Sequence, residues 1–143
     1  MSFTVHSMLP KLVVFDLDEC LYYPEMYTLD TVPQAKDAVM GKLGKSDLDG
    51  VLGVKCGRVT VSLFPGALAV LQAIHAGTYT GLRIAGASSA DTPLACSIGR
   101  ACLSILEVVP GVSVRDVFAM GWPRSFDGNM QIGRSHHYQT RSI

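Results

Sequence analysis

Two aspartates separated by one residue, Asp16-Leu17-Asp18, close the apolar run Leu12-Val13-Val14-Phe15. A short β-branched run of this kind reads as a strand, so both carboxylates fall where a strand emerges into a loop. One carboxylate there can attack phosphorus and form an aspartyl-phosphate, which divides phosphoester hydrolysis into two displacements. The other can protonate the leaving alkoxide and then accept a proton from the attacking water. A second apolar run, Leu82 to Ala87, ends in Ser88-Ser89. Hydroxyls at that point can hold phosphoryl oxygens, or they can simply turn the chain ahead of Asp91. Ligands of open parallel sheets bind outside the carboxyl ends of the strands, so neighbouring strands would bring both groups to one crevice. Carboxylates and a phosphoryl group in one place call for a cation, and hard oxygen ligands favour Mg2+.

The elements that must position these groups follow from periodicity. Lys11 to Phe15 fits a strand buried on both faces, the signature of a parallel sheet. Residues 22–50 look irregular, and 34–50 are polar and read as an exposed insertion. Tyr22, Tyr23, Met26 and Tyr27 form an aromatic-rich cluster, either a pocket wall or core packing. Val51–Cys56 and Arg58–Leu63 flank Gly57 as a β-hairpin. Pro65-Gly66 opens a helix with Ala67, Leu68, Leu71 and Ile74 on one face, ended by Gly77. Asp91-Thr92-Pro93 starts a second helix, with a capping side chain followed by proline in the first turn. Leu94, Ile98, Cys102 and Ile105 form its stripe, and it stops before Pro110-Gly111. Val117-Phe118-Ala119-Met120 reads as a third strand. The alternation of strand, insertion, helix, strand, helix, strand predicts an α/β fold with a parallel sheet.

With 143 residues, 48% apolar and 17% charged, the chain is sized for one domain with a substantial core. Twelve basic residues offset twelve acidic ones, so the broad positive field of a nucleic-acid binder is not expected. Cys20, Cys56, Cys96 and Cys102 contain no C-x-x-C pair and read as reduced thiols of a cytoplasmic compartment. Residues 1–6 lack the pattern of a signal peptide, and no apolar run is long enough to cross a membrane.

The run from Leu12 to Leu21 resembles the first motif of the haloacid-dehalogenase (HAD) superfamily, a strand ending in DxDx(T/V). Tyr22-Tyr23-Pro24, Phe64-Pro65-Gly66-Ala67 and Ala87-Ser88 are similar to elements of its magnesium-dependent phosphatase-1 branch. The resemblance covers about residues 10–134. It implies Asp16 as nucleophile and Mg2+ ligand, and Asp18 as general acid/base with its backbone carbonyl on the metal. It implies Ser88 as the hydroxyl holding the phosphoryl group, with Ser89 as the alternative register. The backbone N–H groups after Asp16, beginning with Leu17, would be further donors. The implied fold is a Rossmann-like parallel sheet with a small β-hairpin flap and no large cap domain.

The chain departs from that pattern in three places. Cys20 stands where threonine is usual. No lysine follows Ser88, and Arg124, Arg134 and Arg141 are the basic candidates in the tail. No acidic pair follows Val117–Met120, and Asp127-Gly128 looks like a turn. The resemblance therefore predicts a domain over residues 1–134 that lacks C-terminal strands, with an uncovered apolar edge beside Asp16 that invites self-association. Residues 135–143 read as a disordered tail, including His136-His137.

Two functions follow as expectations. One is a Mg2+-dependent phosphatase acting on a small phosphorylated substrate or a phosphoprotein. The other is a catalytically inactive HAD-like fragment or binding module. A receiver-type signalling domain, which also phosphorylates an aspartate at a strand end, fits poorly because both aspartates lie in one loop. His75, near a helix end, reads as a partner for the helix dipole, and Cys20 as a packing residue.

Overall fold

The computed structural model describes residues 9–88 and 92–120, together with the backbone of 130–132. In chain order its elements are β1 (Leu12–Asp16), β2 (Tyr22–Tyr23), β3 (Ala38–Lys42), β4 (Asp49–Cys56), β5 (Val59–Leu63), α1 (Pro65–His75), β6 (Arg83–Ser88), α2 (Pro93–Ile105), β7 (Glu107–Val109), β8 (Val112–Ser113), α3 (Val114–Ala119) and β9 (Met130–Ile132). The architecture is α/β.

The two apolar runs that end in polar residues are direct neighbours. β1 pairs with β6 in parallel, in a register that sets Asp16 beside Ala87. β9 adds in parallel to the other side of β6, so the sheet order is β1-β6-β9. Gly86 in β6 permits a close approach: a Cβ there would lie 3.0 Å from Leu17 and 3.3 Å from Phe118. Phe118 also meets Phe15 edge to face, with ring centroids 5.9 Å apart. These contacts fix the end of β1 against β6 and α3.

Burial on both faces of β1 is not what the structure shows. Leu12 and Val14 are 48% and 56% exposed, while Val13 and Phe15 on the opposite face pack against the core. Among the described residues, β6 is the only strand paired with β1.

The third strand expected at Val117–Met120 is instead the helix α3. Ser113 caps it by accepting from the Asp116 N–H at 3.1 Å, and the Asp116 carboxylate accepts from the Ser113 N–H at 2.9 Å. This reciprocal cap sets a helical start. Val114, Val117 and Phe118 then fall on one buried face at helical spacing. A short apolar run does not distinguish a strand from a buried helix by periodicity. The third parallel strand is β9, in the stretch after Met120 where no strand was expected.

The segment read as an irregular insertion and a flap forms a four-stranded antiparallel sheet in the order β2-β5-β4-β3. The expected hairpin is its centre, turned at Gly57, whose φ is 64°. β3 lies in the supposed exposed insertion and pairs with β4 through a bulge at Val39/Met40. Tyr22, Val54, Cys56 and Val61 on this sheet join the core formed by Leu71, Ile98 and Leu103 of the helices. The sheet is part of the domain core rather than a detached cover.

Both long helices follow their sequence signals. α1 starts at Pro65, and Gly77 follows it at φ 79°. Thr92 caps α2 by accepting from the Ala95 N–H at 3.2 Å. Ile98 and Cys102 are buried as expected, but Leu94 is 45% exposed, and Ala95 occupies the inward position of the first turn. Among the described residues, no helix is long and apolar enough to cross a membrane.

Candidate active site

The loop after β1 is held by its own backbone. The N–H groups of Cys20, Leu21 and Tyr22 converge on the Leu17 carbonyl at 3.3, 2.9 and 3.2 Å. Glu19 takes φ 55°, in the left-handed region that side-chain-bearing residues seldom occupy. Its N–H thereby reaches the Tyr22 carbonyl at 3.0 Å. These bonds make Asp18 and Tyr22 partners in a β-bridge. The Asp18 N–H and carbonyl take no part in the bridge bonds.

The Leu17 side chain is fully buried, and its N–H donates to the Ala87 carbonyl at 3.0 Å. That donor is committed to the sheet, whereas the sequence reading gave it to a phosphoryl oxygen. The Asp18 N–H is the next donor after it.

Asp18 is the best-anchored carboxylate of the site. Oδ1 accepts from the Met26 N–H at 2.8 Å, and Oδ2 accepts from Ser88 Oγ at 2.5 Å. Ser88 ends β6 and is 7% exposed. Asp16, at the end of β1, is solvent-exposed. The structure thus brings Asp16, Leu17, Asp18 and Ser88 to one sheet end. Ser89 lies outside the described residues, as do Arg124, Asp127, Arg134, His136, His137 and Arg141.

The aromatic cluster divides between core and surface. Tyr22 and Met26 are fully buried, while Tyr23 and Tyr27 are 40% and 69% exposed. The Tyr22 hydroxyl makes no well-formed hydrogen bond among the described residues, though it lies close to Asp18. Burial pushes its pKa well above the ordinary range, and the Asp18 charge adds to the shift. Tyr23 faces the other way, stacking obliquely on Phe64 and lining a cleft of about 600 Å³ with Lys42, Leu52, Leu68 and Glu107. Sequence reasoning missed the Met26 N–H as an Asp18 anchor, because a backbone donor eight residues downstream carries no residue-type signal. Tyr22 could have been separated from Tyr23 by the two-residue alternation of a strand.

Among the described residues, no group of three acidic, histidine or cysteine side chains forms a metal cluster. The residues present still fit Mg2+, which commonly binds one or two protein carboxylates and keeps waters and substrate phosphate in its remaining positions. The exposed Asp16 carboxylate and the Asp18 carbonyl, which accepts no hydrogen bond among the described residues, are the groups that would hold it. The Asp18 carboxylate already accepts two hydrogen bonds.

A protein-family model described as Acid Phosphatase matches residues 8–141. No curated protein and no solved structure gives a match.

Proposed function

The chain belongs to the acid phosphatase family, a HAD-like family, and we propose that it hydrolyses a phosphomonoester through an aspartyl-phosphate on Asp16. The observation that carries this reading is the Ser88–Asp18 hydrogen bond, which unites the two strand ends beside an exposed Asp16. The Asp16 carboxylate attacks phosphorus, and the ester P–O bond breaks. Asp18, protonated at that moment, gives its proton to the departing alkoxide. Water then attacks the aspartyl-phosphate, Asp18 takes the proton, and phosphate leaves with Asp16 restored. Ser88 and the Asp18 N–H supply donors to the phosphoryl oxygens. Mg2+, held by Asp16 and the Asp18 carbonyl, would offset phosphoryl charge.

The finer assignments rest on the same residues. The Phe64-Pro65-Gly66 start of α1 and the Ala87-Ser88 end of β6 support the magnesium-dependent phosphatase-1 branch and a Rossmann-like parallel sheet. The substrate class is a small phosphorylated molecule or a phosphoprotein. Four cysteines without a disulfide support a reducing, cytoplasmic compartment. The outer edge of β1, with Leu12 and Val14 exposed beside it, supports pairing with a second copy of the chain. Val14→Lys should shift the sedimentation coefficient towards the monomer, and a species unchanged by it would rule that pairing out.

One observation favours a second reading. No third acidic, histidine or cysteine side chain joins Asp16 and Asp18 among the described residues. No lysine follows Ser88 to neutralise phosphoryl charge either, and a site without one would bind phosphorylated ligands without turning them over. Hydrolysis of p-nitrophenyl phosphate, with and without Mg2+, decides between the readings when set against Asp16→Asn. Turnover that Asp16→Asn abolishes establishes the phosphatase, and turnover that survives it removes Asp16 as nucleophile. A folded chain that binds inorganic phosphate without turnover is the binding module.

A further inference from the structure

A buried phenol without a well-formed hydrogen bond, beside the carboxylate that does the proton chemistry, is an arrangement that costs stability. The Tyr22 side chain is 0% exposed, and its hydroxyl lies near enough to Asp18 for that carboxylate to act on it, yet it makes no well-formed hydrogen bond among the described residues. Leaving a buried hydroxyl unsatisfied is unfavourable, and replacing it with an apolar group of the same shape is commonly neutral or stabilising. Tyr22 and Asp18 are bridge partners, so their side chains leave the backbone on the same side of the loop. The Asp18 charge acts on the phenol, second only to burial among the causes that raise its pKa.

The second half of the argument is a count of hydrogens. The Ser88 hydroxyl has one hydrogen to give, and it points to Asp18 Oδ2. A phosphoryl oxygen that engages Ser88 as acceptor takes that hydrogen away from Asp18. The carboxylate would then keep only the Met26 N–H, on its other oxygen.

We propose that the Tyr22 hydroxyl is a positioning group for Asp18, a reserve donor that takes over the carboxylate when Ser88 turns to the phosphoryl group of the substrate. The orphaned phenol of the resting site is thus satisfied in the occupied one, and Asp18 is held in place through the reaction. No bond is made or broken in this exchange; one hydrogen bond replaces another. The inference rests on the reading of Asp18 and Ser88 as parts of a phosphoryl-transfer site.

The test uses the full chain with Tyr22→Phe, Ser88→Ala and the double variant. Thermal melting is followed without ligand and with inorganic phosphate, and p-nitrophenyl phosphate turnover is measured with Mg2+. In the native background Tyr22→Phe should leave the Tm unchanged or higher, because the hydroxyl it removes makes no well-formed hydrogen bond among the described residues. In the Ser88→Ala background the same substitution should lower the Tm by several degrees, because Tyr22 has by then taken up the vacant Asp18 oxygen. The rise in Tm caused by inorganic phosphate should be smaller in Tyr22→Phe than in the native chain. This single substitution removes no packing atoms beyond the hydroxyl, so it is measurable even where the double variant does not fold. Turnover by Tyr22→Phe should fall about tenfold in kcat, the size expected of one hydrogen bond to a charged group, with KM nearly unchanged. An equal Tm effect in both backgrounds, or an undiminished phosphate effect, overturns the exchange. A native chain with no turnover refutes the phosphatase reading alone, since the melting results still decide whether Tyr22 replaces Ser88.

Discussion

The Ser88 hydroxyl donates to the Asp18 carboxylate across 2.5 Å, joining residues 70 positions apart in the chain. That bond separates the roles of the two aspartates. Asp18 is tied into the structure by two donors, whereas Asp16 stands exposed at the end of β1. Asp16→Asn should therefore cost more than about a thousandfold in kcat and almost nothing in stability, by analogy with removal of other nucleophiles. Asp18→Ala should cost about 10²–10⁴ in kcat, the usual range for a lost acid/base. It should also cost about 2 kcal/mol of stability, because two buried donors lose a charged acceptor. Urea denaturation of the two variants checks the contrast, and equal stabilities would show that the Asp18 contacts do not bear on folding.

The proposed metal gives a separate expectation. Turnover should vanish when a chelator removes divalent cations and return on adding Mg2+, while the far-UV spectrum stays constant. The constancy follows because Asp18 is held by Met26 and Ser88, so the loop does not depend on the ion for its shape. Turnover that persists in chelator would exclude Mg2+ from the mechanism.

Gly86 governs how closely β6 approaches the loop that carries the aspartates. A side chain there meets Leu17 and Phe118 at less than ordinary contact distance. Gly86→Val should destabilise by about 1–3 kcal/mol through overpacking. It should also lower kcat, since Leu17 links Asp16 to Asp18. A variant that melts lower but turns over normally would show that the loop is positioned independently of this contact.

Much of the site was legible because its signals are local. A β-branched run ending in Asp16-Leu17-Asp18, and a second ending in Ser88, identified two strand ends, and parallel pairing made them neighbours. The rest depends on groups that residue types do not advertise. The Met26 N–H is a backbone donor, and the Leu17 N–H was consumed by Ala87. The antiparallel sheet was read as a hairpin alone because β3, Ala-Val-Met-Gly-Lys, shows neither clean alternation nor β-branched enrichment. Its place is set by pairing with β4 across a bulge, a tertiary effect.

α3 shows the reverse case, in which a local signal is present beside an ambiguous one. Ser113-Val114-Arg115-Asp116 is a capping pattern, but the apolar Val117-Phe118-Ala119-Met120 that follows reads equally as a strand. Ser113→Ala removes the acceptor for the Asp116 N–H and should cost about 1 kcal/mol. Ser113→Thr should retain most of that stability. Equal losses from both substitutions would mean that the cap does not set the helix.

The buried thiols predict how stability changes at alkaline pH. Cys56 on β4 and Cys102 on α2 lie with their sulfurs 3.7 Å apart, and burial raises both pKa values. A thiol is neutral when protonated, so a raised pKa means that the folded chain holds its proton after the unfolded chain has released it. Stability from this source is complete below the ordinary thiol pKa of about 8.5 and declines as pH rises beyond it, because the unfolded state then binds fewer protons. The urea midpoint should fall steadily between about pH 8.5 and about pH 10.5. Cys102→Ala should be less stable at neutral pH, having lost packing, but its midpoint should fall less steeply over that range. Parallel slopes for the native chain and the variant would show that the Cys102 thiol is not the group being titrated.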